Sequence, residues 1–195
     1  MKRGGFPRLA TALLPLLLLT LSGCGYNTLV SLQEGVDAAW SQVENVYQRR
    51  ADLVPNLVAT VKGAADFERE TLTAVTEARA RVGQMSFDEA PDAAQLQQFQ
   101  QAQDALSSAL SRLLVVVERY PELTATQAFR DLQVQLEGTE NRIAVERRRF
   151  NEAAQAYNTA RRQFPTLITA NIFGFGEKAY FESSSGAEEA PKVEF

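Results

Sequence analysis

Apolar residues recur at helical spacing along most of the chain. Leu29, Leu32, Val36, Ala39, Val43, Val46, Arg50, Leu53 and Leu57 step by threes and fours, and eight of these nine are apolar. Such a stripe predicts a helix with a narrow, coiled-coil-like seam. Pro55 falls inside it; lacking a backbone N–H, it predicts a kink or break. Beyond it the pattern broadens, with Val58, Val61, Leu72, Val75 and Val82 on one side and Ala64, Phe67, Ala74 and Ala78 beside them. A wide stripe predicts contact with two neighbours. Gly83 and the stretch Ser86 to Asp92, with Pro91, read as a loop. A second helix carries Leu96, Phe99, Gln103, Leu106, Leu110, Leu113, Val117 and Tyr120 on its seam and stops before Pro121. A third, from about Glu122 to Phe164, carries Ala125, Phe129, Leu132, Leu136, Thr139, Ile143, Glu146, Phe150, Ala153, Tyr157, Ala160 and Phe164.

These elements predict an all-α fold, an elongated antiparallel bundle of up-and-down topology. The first helix is kinked or broken near Pro55. A straight first helix running to Val82 would far outrun the second, so reversal near Pro55 into four segments is the favoured reading. After Pro165 the run Phe173-Gly174-Phe175-Gly176, with Tyr180 and Phe181, predicts an irregular segment laid over the bundle. Ser183 to Gly186 and Glu188-Glu189 read as a solvated linker, with Val193 and Phe195 either packing back or frayed.

The N-terminus adds a targeting signal. Lys2, Arg3 and Arg8 precede a leucine-rich run from Leu13 to Leu21 that closes on Leu21-Ser22-Gly23-Cys24. A basic start, a short apolar core and small residues before a cut describe a secretory signal peptide. The run is too short for an ordinary membrane-spanning helix of about 20 residues. Cys24 is the only cysteine, so no intramolecular disulfide forms. Leu-Ser-Gly-Cys resembles the lipobox of bacterial lipoproteins, in which that thiol receives diacylglycerol. The plainer alternatives are an ordinary signal peptide with a free thiol, or an uncleaved anchor. Each buried methylene contributes about 0.8 kcal/mol, so several acyl chains would hold the protein firmly. Gly25 stands where lipoproteins retained at the inner membrane usually have aspartate, which favours the periplasmic face of the outer membrane in a Gram-negative host. The expected organisation is a signal peptide over 1–23, a lipidated tether over 24–28, the bundle over 29–165 and a C-terminal segment over 166–195.

Removing the leader takes away three cations and no acids, moving the formal charge from −4 to −7. That balance argues against nucleic acid, whose binding is dominated by cations on phosphate. Histidine is absent, which excludes imidazole ligands, His-based triads and His switches. No metal-ligand spacing or cofactor motif is present, and neither a metal nor a cofactor is expected.

Several polar blocks between the seams are specific. Ala39-Trp40-Ser41-Gln42-Val43-Glu44, then Tyr47-Gln48-Arg49-Arg50-Ala51-Asp52-Leu53-Val54-Pro55-Asn56-Leu57, resemble the LemA family. Lys62-Gly63, Phe67 to Leu72, Tyr120-Pro121-Glu122-Leu123 and Leu136 to Ala144 extend the resemblance. Tyr157-Asn158, Phe164-Pro165, Gly174-Phe175 and Val193-Glu194-Phe195 complete it across nearly the whole mature chain. The resemblance implies a helical bundle tethered to a membrane at its N-terminus, outside the cytoplasm, with no catalytic activity established for the class. Many members use a transmembrane helix, where this chain offers a lipobox. It also implies, by gene neighbourhood, a membrane-protein partner of the TPM-domain type.

Arg50, Gln103 and Glu146 occupy seam positions that favour apolar side chains. A charge inside a bundle is costly unless paired, so Arg50 and Glu146 are candidates for a buried pair that sets the register; alternatively both reach water from the seam's margin. Arg49, Asp52 and Asn56 flank the proline, while Glu137, Glu140, Asn141 and Arg142 cluster around Thr139 on the third helix. Together they form a candidate recognition surface, or else Asp52 and Asn56 satisfy backbone groups loosened by Pro55. Arg147-Arg148-Arg149 and Arg161-Arg162 could meet anionic headgroups or form a solvated face. No nucleophile, base and orienting group occur together, so no catalytic residue is assigned and an enzyme is not expected. The favoured function is a tethered scaffold or adaptor for another envelope protein. The alternative is a carboxylate-dependent hydrolase of cell-wall material, using Glu137 and Glu140.

Overall fold

Among the described residues six helices follow one another: α1 (Phe6–Val61), α2 (Arg69–Val82), α3 (Ala93–Val117), α4 (Pro121–Thr124), α5 (Gln127–Arg162) and α6 (Thr166–Phe173). The computed structural model describes residues 6–62, 68–87 and 89–182, and of residues 6–24 only the backbone. Lys2, Arg3, Gly63, Phe67 and the stretch Ser183 to Phe195 lie outside the described residues, as does the Cys24 side chain. Among the described residues, no helix is long and apolar enough to cross a membrane.

Most of each seam faces inward as its spacing requires, while Ala125 and Phe164, at the two ends of the third, are exposed. α1 and α5 run antiparallel along most of their length: Trp40 meets Phe150 at 5.7 Å between ring centroids, and Tyr47 and Ile143 share the same core. Ten residues further along α1 and ten back along α5, Arg50 meets Glu140 at 2.7 Å. α3 runs alongside α1 in the same direction, its Phe99 against Trp40 and its Gln103 against Arg50. α2 returns antiparallel to both and completes an up-and-down bundle in the half that holds Leu53, Leu57, Val61, Leu106, Leu113, Phe129 and Leu136. In the other half α2 is absent. Its place is filled by the loop before α3 (Met85, Phe87, Ala90) and by the tail after α6 (Phe175, Ala179, Phe181).

The helix starts follow local chemistry. Asp92 caps α3 by accepting from Gln95 N at 2.8 Å, while Gln95 Oε1 accepts from Asp92 N at 3.0 Å, a reciprocal capping box. Pro121 opens α4 at a position where its missing donor costs nothing. The expected third helix is therefore divided: one turn of α4, a break at Ala125, then α5 capped by Thr126. The segment after Pro165 is also more ordered than expected, since α6 precedes the irregular tail.

Pro55 does not break or reverse the first helix. α1 continues past it to Val61. The reason lies in the carbonyl of Ala51, which loses its normal i+4 donor to the proline ring. Arg79 of α2 supplies a substitute, donating Nε–H to Ala51 O at 2.9 Å, and Pro55 itself is exposed, so its ring meets solvent. Asp52 and Asn56 are not recruited for this: Asp52 accepts from Gln48 and the Asn56 carbonyl accepts from Thr60. Arg79→Ala should therefore destabilise the protein by about 1 kcal/mol, read by urea unfolding. In a Pro55→Ala background, where Ala51 O regains its own donor, most of that loss should vanish; an undiminished loss would refute the substitution of one donor for the other.

Candidate functional site

The polar interruptions of three seams meet in one layer. Arg50 on α1, Gln103 on α3 and Thr139 on α5 are buried, at 1%, 2% and 2% exposure, between the two apolar clusters of the bundle. The Arg50 guanidinium donates through Nη1 to Ser107 Oγ and to Glu140 Oε1, both at 2.7 Å, and through Nη2 to Gln103 O at 3.2 Å and to Gln103 Oε1. It also lies over the Tyr47 ring, 5.1 Å from the centroid. Burial pushes the Tyr47 phenol above its ordinary range, an effect that the nearby cations of Arg147 and Arg50 oppose. Planar guanidinium geometry suits this set of acceptors; an ammonium would not span them.

The candidate pair of Arg50 with Glu146 is thus corrected. Arg50 pairs with Glu140, and Glu146 takes Arg149 at 2.8 Å on its own helix. The antiparallel register of α1 on α5 places residue 140 opposite Arg50. Glu146 lies six residues beyond, about 9 Å along the axis.

Glu140 is 47% exposed, and its outer side opens on a groove between α3 and α5 of about 510 Å³. Ser107, Ser111, Glu137, Glu140 and Asn141 give it polar walls, and Leu110, Leu114 and Leu136 give it apolar ones. Glu137 accepts from Gln133 at 3.1 Å. Of the residues assigned to a recognition surface, Glu137, Glu140 and Asn141 share this groove. Arg49, Asp52 and Asn56 are exposed on α1 and do not line it, and neither does the exposed Arg142. The two halves of that surface are therefore not one site. Ser107 and the groove leucines were missed as recognition residues because their spacing marks them only as helix positions.

The basic block is engaged within the chain. Arg147 donates to Glu182 O at 2.7 Å and stacks over Phe181 at 4.8 Å; Arg148 faces Glu152 and Arg149 takes Glu146. Two asparagines on α5 hold the tail beside it. Asn151 exchanges a pair of hydrogen bonds with the backbone of Phe181, and Asn158 does the same with Lys178. Seven helical residues and three extended ones both span about 10 Å, so the amides match the strand-like tail.

A model of the LemA family matches residues 39–195. The chain belongs to the LemA family. Among curated relatives, this LemA-family chain is similar to magnetosome protein MamQ 2 of Paramagnetospirillum magneticum, 28% identical over 182 residues, and to magnetosome protein MamQ of Magnetospirillum gryphiswaldense, 26% identical over 185 residues. In both cases 84% of this chain and 66% of the relative are covered, so the chain spans slightly less than two thirds of those proteins. Protein LemA of Metamycoplasma hominis is 23% identical over 158 residues, covering 81% of this chain and 69% of the relative. The family match takes in the Arg50 layer, the groove, α6 and the tail.

Proposed function

We propose that this LemA-family chain is a lipid-tethered envelope protein, held by acyl groups on Cys24, in a Gram-negative host at the periplasmic face of the outer membrane. It serves as a non-enzymatic scaffold that offers the α3–α5 groove to another envelope or membrane protein. The observation that carries the reading is the continuity of α1, a single helix from the backbone of Cys24 to beyond Arg50. Twenty-six residues of helix set the groove about 39 Å from the tether. The Arg50 layer joins α1, α3 and α5 at that level, so the groove stands at a fixed height rather than on a flexible stalk. Its leucines and two carboxylates suit an apolar segment carrying a basic residue. A membrane protein of the TPM-domain type, the partner class suggested by the family, is the first to test.

A photo-reactive amino acid placed at Glu137 in cells should give one discrete heterologous adduct. The same probe at Arg49, outside the groove, should give much less. Cys24→Ala should abolish or greatly weaken the Glu137 adduct by removing the tether. Adducts only to itself, or equal labelling from both positions, would reject the groove as the docking site.

A further inference from the structure

α6 is built the wrong way round for a helix in water. It buries Thr169 and Ala170 against the bundle and leaves Leu167, Ile168, Ile172 and Phe173 at 41%, 52%, 71% and 60% exposure, with Phe164 just ahead of it at 80%. Small and weakly polar residues face inward while the large apolar ones face out, the reverse of an ordinary amphipathic surface helix. No charged residue occurs from Gln163 to Gly176, although Arg161 and Arg162 precede this run and Glu177 and Lys178 follow it. Gly174, at φ 73°, ends the helix and folds Phe175 N back onto Ala170 O at 3.0 Å, so the apolar tip is a fixed shape.

Its position identifies what covers it. α6 packs on α1 at Gly25, so closely that a Cβ there would sit 3.1 Å from Thr169 Oγ1 and 3.5 Å from Thr166 Cα. Gly25 follows Cys24 directly, and consecutive Cα atoms are about 3.8 Å apart. Tyr26, one residue further, sets its ring edge-on to Phe173 at 5.0 Å and to Phe175 at 5.6 Å. The exposed apolar end of the molecule is therefore the end at which the apolar leader joins the bundle.

We infer that α6 is a second, interfacial membrane contact: its outward face enters the headgroup–acyl boundary of the bilayer that holds the tether, with Tyr26 at the level of the headgroups. This rests on the lipid-tether reading, which brings Gly25 to the bilayer surface. An uncharged, aromatic-rich face flanked by charged residues has the composition of an interfacial anchor, and an apolar patch of this kind is rarely left to water. Two contacts in place of one make the bundle stand on the membrane in a set orientation. The groove's height then follows from the fold and not from the tether alone.

The test uses the full chain, recovered from bacterial envelopes and reconstituted in phosphatidylcholine–phosphatidylglycerol vesicles with brominated acyl chains. One tryptophan probe is introduced by Phe173→Trp and another, at the far end of the bundle, by Val134→Trp, each compared with the unsubstituted protein, whose Trp40 is buried. The expected result is co-flotation of all three proteins, added emission from the Phe173→Trp probe quenched by roughly half, and the Val134→Trp probe unaffected. Co-flotation with the Phe173→Trp probe unquenched would overturn the inference and leave the tether standing. Blue-shifted but unquenched emission would overturn it in favour of a protein, such as a second copy, covering α6. Quenching of both probes would overturn the end-on contact. Failure to float would overturn the tether and this inference together.

Discussion

Trp40→Ala is expected to destabilise the protein by about 4 kcal/mol, within the range for deleting a large buried aromatic. Trp40 is 1% exposed at the centre of a ring cluster, edge-on to Phe87, Phe99 and Phe150 at 5.9, 5.2 and 5.7 Å and stacked on Phe181 at 6.2 Å. Those partners come from the loop before α3, from α3, from α5 and from the tail. The substitution therefore loosens four elements and leaves a cavity that helices pinned at the Arg50 layer cannot close. Trp40→Phe tests the mechanism from the other side. The indole Nε1 is buried without a hydrogen-bond partner, so losing it removes an unsatisfied donor while most of the ring packing remains. That variant should cost only about 1 kcal/mol. Urea unfolding followed by far-UV circular dichroism measures both. Equal losses for phenylalanine and alanine would mean that only the full indole bicycle, and not an aromatic ring as such, holds the cluster together.

Arg50→Ala is expected to cost about 3 kcal/mol. The change leaves Gln103 and Ser107 without their donor and opens a hole between the two apolar clusters, while Glu140, half in solvent, rehydrates. Arg50→Lys should recover little, since a single ammonium cannot serve acceptors on both α3 and α5. Arg50→Met should recover more than lysine, because it refills the volume without stranding a charge. Glu140→Gln keeps an acceptor but removes the counterion, and should cost about 1 to 2 kcal/mol. A double-mutant cycle between positions 50 and 140 should show coupling, and one between 50 and 146 none. Coupling of Arg50 to Glu146 in solution would contradict the register described above. These variants also separate the scaffold from the carboxylate-hydrolase alternative. If Glu140→Gln abolishes function without lowering stability, the carboxylate acts chemically. If function follows stability across the set, the layer is structural.

Much of the fold was legible in the residue pattern because helical periodicity is local. Leu29 to Leu57, Leu96 to Val117 and Phe129 to Tyr157 mark their own inner faces, whereas the caps at Asp92 and Thr126 emerged only in the structure. Family membership was legible in the same way, from contiguous blocks around Trp40, Pro55 and Thr139. The polar seam positions Arg50 and Gln103 were visible as anomalies on single helices. Which residues they meet was not visible, because that depends on the axial register of two helices ninety residues apart in the chain. A shift of six residues separates the expected partner Glu146 from the actual partner Glu140, and nothing on α5 alone distinguishes them. Pro55 shows the same limit. Its missing donor is a local fact that predicts a break, but whether the freed Ala51 carbonyl finds Arg79 is a fact about α2. The inverted face of α6 belongs wholly to the tertiary structure: Thr169 and Ala170 point inward only because Gly25 lets α1 approach closely. Local patterning thus determined that the chain is helical and which faces of its long helices are buried. Long-range packing decided register, the rescue of Pro55 and the apolar surface left uncovered, because each requires two distant segments to be placed against one another.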